Sequence, residues 1–217
     1  RLAFELAGFQ LAPARTWTPQ GGELFMDDLK NSNAKLVYTT PSSQFPAGLT
    51  MTREMRLKLL TWAHVHNTFI IEDDYCCEYR YNAAPVPALF GLDKYDRVIY
   101  MGTFSKVLSP ALRMNYLVLP PELVERWNEV FVDAYPYTPW ITQETLHRFL
   151  TSNHWNNHVR RMQGLGRRKY QALKKALADH MGDRITVLEG GAGLHLLVDV
   201  ADGRSQAELI ESAARNG

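Results

Sequence analysis

A single lysine, Lys106, lies among hydroxyl-bearing residues at the end of an apolar run. The segment reads Tyr100-Met-Gly-Thr-Phe-Ser-Lys106, and Arg113 follows seven residues later. Upstream, the apolar run Phe69-Ile-Ile ends in Glu-Asp-Asp-Tyr75. An amine, carboxylates, a phenol, hydroxyls and a guanidinium are therefore concentrated in two short segments of the chain.

These groups are the ones that proteins use to hold pyridoxal phosphate. A lysine amine forms a Schiff base with the aldehyde, and a carboxylate keeps the pyridine nitrogen protonated. Hydroxyls and a guanidinium bind the phosphate. Each residue also has an ordinary alternative, because a lysine is usually solvated, an Asp-Asp pair usually forms a turn or an N-cap, and a tyrosine usually packs. Their joint occurrence at predicted strand ends favours the cofactor site.

The surrounding pattern predicts an α/β fold with a mainly parallel sheet and helices on both faces. Short apolar runs predict strands at 9–14, 35–40, 68–72, 97–101 and 114–119. A loop is predicted at 19–22, a short helix at 26–31, and a helix capped by Thr52 and ending near His66. In parallel sheets ligands lie beyond the carboxyl ends of strands, where Asp73, Tyr75 and Lys106 are expected.

The second half of the chain reads differently. It predicts helices at 122–132, 141–150 and 153–180, paired strands at 184–188 and 193–199, and a last helix from Ser205. Gly164 and Gly166 allow a bend in the longest helix. His195 is expected to be a packed residue on its strand. We predict that residues 1–154 are a portion of a large cofactor-binding domain, and 155–217 a hinge helix with part of a smaller α+β C-terminal domain.

Four segments carry a family resemblance: Thr40-Pro-Ser-Ser-Gln-Phe-Pro-Ala-Gly48, Ile70-Ile-Glu-Asp-Asp-Tyr75, Arg97-Val-Ile-Tyr-Met-Gly-Thr-Phe-Ser-Lys106 and Leu108-Ser-Pro-Ala-Leu-Arg113. The chain resembles the aminotransferase-like domain of MocR-type regulators, within the GntR family and the fold-type I superfamily of pyridoxal phosphate proteins. The resemblance extends from about Leu2 to the C-terminus.

The resemblance implies a role for each of the residues that match. Lys106 would form the Schiff base, Asp73 would face the pyridine nitrogen, and Tyr75 would hydrogen-bond the phenolic oxygen of the ring. The phosphate would be bound by Thr103, Ser105 and Arg113.

The chain also departs from the family pattern. Ser43 replaces a common histidine, Cys76-Cys77 replaces Asp-Ser, and no asparagine stands before Pro46, although Gln44 is near. Neither of the first two changes removes a proposed ligand. The chain lacks the winged-helix DNA-binding domain with which such regulators begin and the arginine that grips a substrate carboxylate. We therefore expect it to be a fragment of a longer protein.

Two functions remain open, and a degenerate scaffold that binds no cofactor is disfavoured by the matching residues. The first is a sensor domain of a transcription regulator, in which an amino compound or amino acid replaces Lys106 in an external aldimine. The second is an active aminotransferase of class I/II, so whether the protein is an enzyme stays undecided. By resemblance the protein would be a homodimer that contacts DNA only through the absent winged helix.

Composition excludes several other classes of function. The net charge of +1 gives no reason for this portion to bind nucleic acid. The basic cluster at 158–169 is expected to be a solvated helix face. No apolar run is long enough to span a bilayer, and the adjacent Cys76 and Cys77 suit neither a disulfide nor a metal site. A reducing cytoplasm is the expected location.

Overall fold

A computed structural model describes residues 1–15, 26–81, 86–133, 138–188, 190–201 and 203–216. Its first sheet has the strand order β1-β2-β3-β4. The strands are β1 (Leu36–Thr39), β2 (Phe69–Asp74), β3 (Val98–Thr103) and β4 (Asn115–Val118). The first three strands run parallel, and β4 pairs antiparallel with β3. The predicted mainly parallel α/β sheet is therefore confirmed.

Helices connect and flank these strands. Their bounds are α1 (Leu2–Leu6), α2 (Met26–Lys30), α3 (Arg53–Val65), α4 (Leu89–Leu92), α5 (Pro121–Val130), α6 (Trp140–Thr151), α7 (His154–Met181) and α8 (Gln206–Asn216). Thr52 caps α3 as predicted, since its hydroxyl accepts a hydrogen bond from the Met55 amide at 3.2 Å. Ser205 and Glu208 form a reciprocal capping box before α8, with Ser205 N donating to Glu208 Oε2 at 2.7 Å.

The main core lies between α3 and the sheet. Leu59, Ala63 and Ile70 have no measurable exposure, and Leu89 of α4 closes the same cluster. Burying each large aliphatic side chain stabilises the fold by about 1.5–3 kcal/mol. This core fixes the position of β2, which carries the acidic residues of the predicted site.

A second, smaller sheet pairs β5 (Ile185–Leu188) antiparallel with β6 (Leu197–Val200). The two strands were predicted to pair, but β6 begins four residues later than expected. His195 therefore lies in the loop before β6 and not on a strand. The shift follows from Gly193, whose backbone φ of +90° is incompatible with an extended ladder.

One further expectation needs correction. Residues 9–14 form no strand, because the Phe9 amide closes a turn onto Phe4 O at 3.0 Å and the Phe9 ring packs edge-on against Phe4. Helix α7 runs without interruption through Gly164 and Gly166. Gly166 serves close packing, because a side chain there would meet the Tyr81 hydroxyl at 2.7 Å. The loop predicted at 19–22 lies outside the described residues.

Across the described ranges, every helix is either too short or too polar to cross a lipid bilayer.

Candidate functional site

The alternation of strand β2 sends its acidic residues to opposite faces of the sheet. Glu72 and Asp74 are buried on the face that α3 and α4 cover. Asp73 and Tyr75 are half-buried and point to the other face. Carboxylates that are neighbours in the sequence therefore lie on opposite faces of the sheet.

The face of β2 that carries Asp73 and Tyr75, here called the outer face, borders a cavity of about 430 Å³, which we name the Asp73 cavity. Its lining comprises Tyr38, Thr40, Gln44, Phe45, Asp73, Tyr75, Lys106, Leu194 and His195. Asp73, Tyr75 and Lys106 were all predicted as site residues from the sequence. The end of β2 and the turn after β3 bring these three residues into one cavity, and its volume is typical of small-molecule sites.

Asp73 is the acidic group of this cavity. Burial raises the pKa of the Asp73 carboxyl, and the hydrogen bond that it accepts from the Tyr38 hydroxyl opposes that rise. Burial also raises the pKa of Tyr38, and the neighbouring Asp73 charge adds to the effect. Tyr38 therefore remains a neutral donor that holds the Asp73 carboxylate in place.

Tyr75 and Lys106 are positioned through backbone carbonyls. The Tyr75 hydroxyl donates to Ser43 O at 2.9 Å, and burial raises the pKa of Tyr75. The Tyr79 hydroxyl donates to Lys106 O at 3.1 Å. His158 Nε2, on α7, donates to Val107 O at 2.7 Å. The turn after β3 that carries Lys106 is here named the lysine turn. Two of its consecutive carbonyls thus accept hydrogen bonds from side chains in distant parts of the chain, while the Lys106 amine stays accessible.

Of the predicted phosphate ligands, Thr103 ends β3, Ser105 lies in the turn that follows, and Arg113 lies between a short 3₁₀ turn and β4. The Thr103 hydroxyl accepts a hydrogen bond from the Ser105 amide at 3.2 Å. Phe104 N donates to Met114 O at 3.3 Å, one step beyond the last strand pair of Thr103 with Asn115, and Arg113 follows a short 3₁₀ turn with a left-handed backbone φ of +50°. None of the three is among the residues that line the Asp73 cavity. Their role in binding phosphate stays a prediction.

Sequence reasoning missed Tyr38, Thr40 and His195 as site residues. Tyr38 and Thr40 are two positions apart on and after β1, so period-two alternation directs both to one face. The parallel register of β1 with β2 pairs Tyr38 with Ile71. This signal was available in the sequence. His195 Nε2 donates to Pro46 O at 2.6 Å, a contact across 149 positions for which the sequence gives no signal.

The residues of the Asp73 cavity fit pyridoxal phosphate at one end. The half-buried Asp73 carboxylate can pair with a protonated ring nitrogen, and the Tyr75 hydroxyl lies in the same cavity. Lys106 provides the only amine among the side chains that line the described cavity, as covalent attachment requires. The donor set therefore fits the ring of the cofactor and its aldehyde.

Comparison with known proteins supports a cofactor site of this kind. The family model "Aminotransferase class I and II" matches residues 1–213. The HTH-type transcriptional regulator YhdI of Bacillus subtilis (strain 168) is 41% identical over 191 residues, covering 88% of this chain and 41% of YhdI. The probable rhizopine catabolism regulatory protein MocR of Rhizobium meliloti is 38% identical over 172 residues, covering 79% of this chain and 35% of that protein.

Among solved structures, the chain is similar to LysN, an alpha-aminoadipate aminotransferase from Thermus thermophilus complexed with N-(5'-phosphopyridoxyl)-L-leucine. The TM-score is 0.77 at 28% identity, and the match covers 88% of this chain and 49% of LysN. The chain spans about two-fifths of the length of the two regulators and about half of LysN.

Proposed function

We propose that this chain, which belongs to the aminotransferase class I and II family, binds pyridoxal phosphate in the Asp73 cavity as the effector-sensing domain of a transcriptional regulator. The observation that carries the proposal is the convergence of Asp73, Tyr75 and Lys106 on one cavity. The similarity to the regulators YhdI and MocR supports regulation over free-standing catalysis.

When bound, pyridoxal phosphate supplies an aldehyde that condenses with amines and a ring that withdraws electrons from the attached carbon. Lys106 Nζ is the amine of this chain that reaches the cavity. The Asp73 carboxylate holds a proton on the ring nitrogen, and Tyr38 keeps that carboxylate oriented. Tyr75 donates to or accepts from the ring oxygen. Phe45 and Leu194 provide the apolar part of the cavity wall.

The remaining parts of the proposal follow from the same similarity. Thr103, Ser105 and Arg113 bind the phosphate at the end of β3. A small amino compound would bind in the Asp73 cavity beside Lys106 and change the equilibrium between two conformations, through its different affinity for each. The regulator acts in the cytoplasm as a homodimer and contacts DNA through a winged-helix domain outside this chain. Residues 1–154 and 155–217 form portions of its large and small domains.

Covalent labelling of the full-length protein tests the cofactor site. Incubation with pyridoxal phosphate, reduction with borohydride and peptide mass spectrometry should place the label on Lys106. Lys106→Ala should abolish it, whereas Lys94→Ala, which removes an exposed lysine outside the cavity, should not. A label that persists in the Lys106 variant would contradict the proposal.

A second candidate function is amino-group transfer between an amino acid and a 2-oxo acid, as the similarity to LysN suggests. In that case Lys106 Nζ also moves the proton at the substrate carbon. Product formation from amino acid and 2-oxo acid, measured beside effector-dependent DNA binding by the full-length protein, separates the two. Steady turnover without any effect on DNA binding would favour the enzyme.

A further inference from the structure

The inner face of β2 borders a second cavity, of about 660 Å³, which the proposed function does not use. We name it the Asp74 cavity. Its charged and polar lining includes Ser42, Asp74, Glu78, Arg80, Arg160 and Arg167. Three guanidinium groups and two carboxylates therefore surround one space on the side of the strand opposite the Asp73 cavity.

Asp74 forms the acidic part of the floor and is only 5% exposed. Its Oδ2 accepts a hydrogen bond from the Tyr100 hydroxyl at 2.9 Å. Its Oδ1 is buried, and no nitrogen or oxygen donor in the described part of the chain reaches it. The nearby Cys77 is a weak donor, because burial and the Asp74 and Glu78 carboxylates raise the pKa of its thiol. A buried carboxylate oxygen without a strong donor is unfavourable unless a ligand supplies one.

Arg80 forms the basic part of the floor. Its Nη2 donates to Ser42 Oγ at 3.2 Å. Its Nε and Nη1 are buried, and neither finds an acceptor among the residues with described positions. These two nitrogens lie on different edges of the guanidinium, so each can donate to a separate oxygen of an anion. Asp74 and Arg80 thus line the same cavity, and each has buried polar atoms without a nitrogen or oxygen partner among the described residues.

The rim carries two more guanidinium groups from helix α7. Arg160 and Arg167 are seven residues apart, which places them two turns apart on one face of the helix. Both side chains are exposed and line the cavity. The basic cluster that the sequence suggested to be a solvated face therefore has two members directed to this space.

We propose that the Asp74 cavity binds a small phosphate monoester that also carries an ammonium or hydroxyl group. The three arginines pair with the phosphate oxygens. A phosphate suits them better than a carboxylate because it offers more oxygens. The ammonium or hydroxyl group donates to Asp74 Oδ1. This site is separate from the proposed cofactor site and does not depend on it.

Calorimetric titration of the full-length protein with phosphoethanolamine tests the proposal at low salt. Binding should weaken by about tenfold or more in the double variant Arg160→Gln/Arg167→Gln, since each lost charged hydrogen bond contributes. The matched control Arg161→Gln/Arg168→Gln removes the same charge from exposed α7 positions outside the cavity and should leave binding unchanged. Equal weakening in both double variants would indicate a non-specific charge effect and overturn the proposal.

Ethyl phosphate is the matched probe that lacks the donor group. It should bind the native protein about fivefold more weakly than phosphoethanolamine, and Asp74→Asn should remove that difference. Glycerol 3-phosphate tests whether a hydroxyl serves as well as an ammonium. Absence of binding up to about 10 mM for all three probes would overturn the proposal. Loss of binding in Lys106→Ala would place the ligand in the Asp73 cavity, and would overturn it without affecting the proposed function.

Discussion

The two cavities beside strand β2 are built from consecutive residues and differ in chemistry. The Asp73 cavity contains a lysine and no arginine among its described lining, whereas the Asp74 cavity contains three arginines and no lysine. Lysine condenses with carbonyl compounds, whereas arginine binds oxyanions and does not react. One peptide unit thus separates a site suited to covalent chemistry from a site suited to anion binding.

Glu72 adds a third use of a carboxylate on the same strand. It is fully buried, lies 3.4 Å from Arg56 Nη1, and accepts hydrogen bonds from the amides of Leu89 and Phe90 at 2.8 and 2.9 Å. Burial raises the pKa of Glu72 and lowers that of Arg56, so each needs the other to remain charged. This carboxylate supports the fold, and the other two face cavities.

The largest expected effect is on stability. Glu72→Gln leaves the Arg56 charge buried without a counter-charge and should lower the free energy of unfolding by about 3 kcal/mol. Urea unfolding followed by circular dichroism measures this loss. Glu54→Gln, which breaks the exposed ion pair with Lys58, is the control and should cause no measurable change. A similar result for both variants would mean that Glu72 has no special structural role.

The next effect separates the two aspartates. Asp73→Asn should weaken retention of pyridoxal phosphate by about 10- to 100-fold, because it removes the charge facing the ring nitrogen. Asp74→Asn has the same change in charge one residue away and should have little effect on retention. Dialysis of the loaded protein, followed by assay of the remaining cofactor, measures both variants. Equal losses would remove the distinction between the cavities.

The sequence was sufficient to predict β2, because an apolar run ends in polar residues, and to predict α3, because Thr52 is a favourable cap. It also indicated Asp73, Tyr75 and Lys106, which the structure places in one cavity. It could not indicate His195 or His158, since their contacts join segments 149 and 51 positions apart. The prediction of a strand at 9–14 was wrong, because Phe9 forms a local turn and does not pair with another strand.

Helix α7 contacts both the turn that carries Lys106 and the Asp74 cavity. A substitution on this helix should have a smaller effect on the reactivity of Lys106. His158 holds the carbonyl next to Lys106, and Arg160 on the same helix lines the Asp74 cavity. His158→Ala should slow the acetylation of Lys106 by about three- to tenfold, or shift the pH dependence of that rate. Quantitative mass spectrometry of the Lys106 peptide measures that rate.

His154→Ala is the matched control, because His154 is exposed on the same helix. The rate at Lys106 should be the same in this variant as in the native protein. If His158→Ala also leaves the rate unchanged, then α7 does not position the lysine turn. Restoration of the native rate by His158→Gln, which keeps a donor, would support the hydrogen bond as the cause.

The smallest effect concerns Tyr38 and the protonation of Asp73. Because burial raises the pKa of Asp73 in the folded protein, this group favours folding at pH values below its unfolded pKa of about 3.9. That contribution is lost as the pH rises through the folded pKa. Tyr38→Phe removes the hydrogen bond that favours the charged carboxylate, so the pKa of Asp73 should rise further.

Carbon-13 NMR titration of the aspartate carboxyl groups measures this change directly. A bound pyridinium should have the opposite effect and lower the pKa of Asp73, because a nearby positive charge favours the carboxylate. Tyr38→Phe should therefore weaken cofactor retention by only about fivefold, the contribution of one hydrogen bond. Tyr116→Phe, a hydroxyl deletion outside the Asp73 cavity, is the control. An Asp73 pKa that stays constant in Tyr38→Phe would show that burial alone sets the protonation of this carboxyl, and that Tyr38 orients it without stabilising its charge.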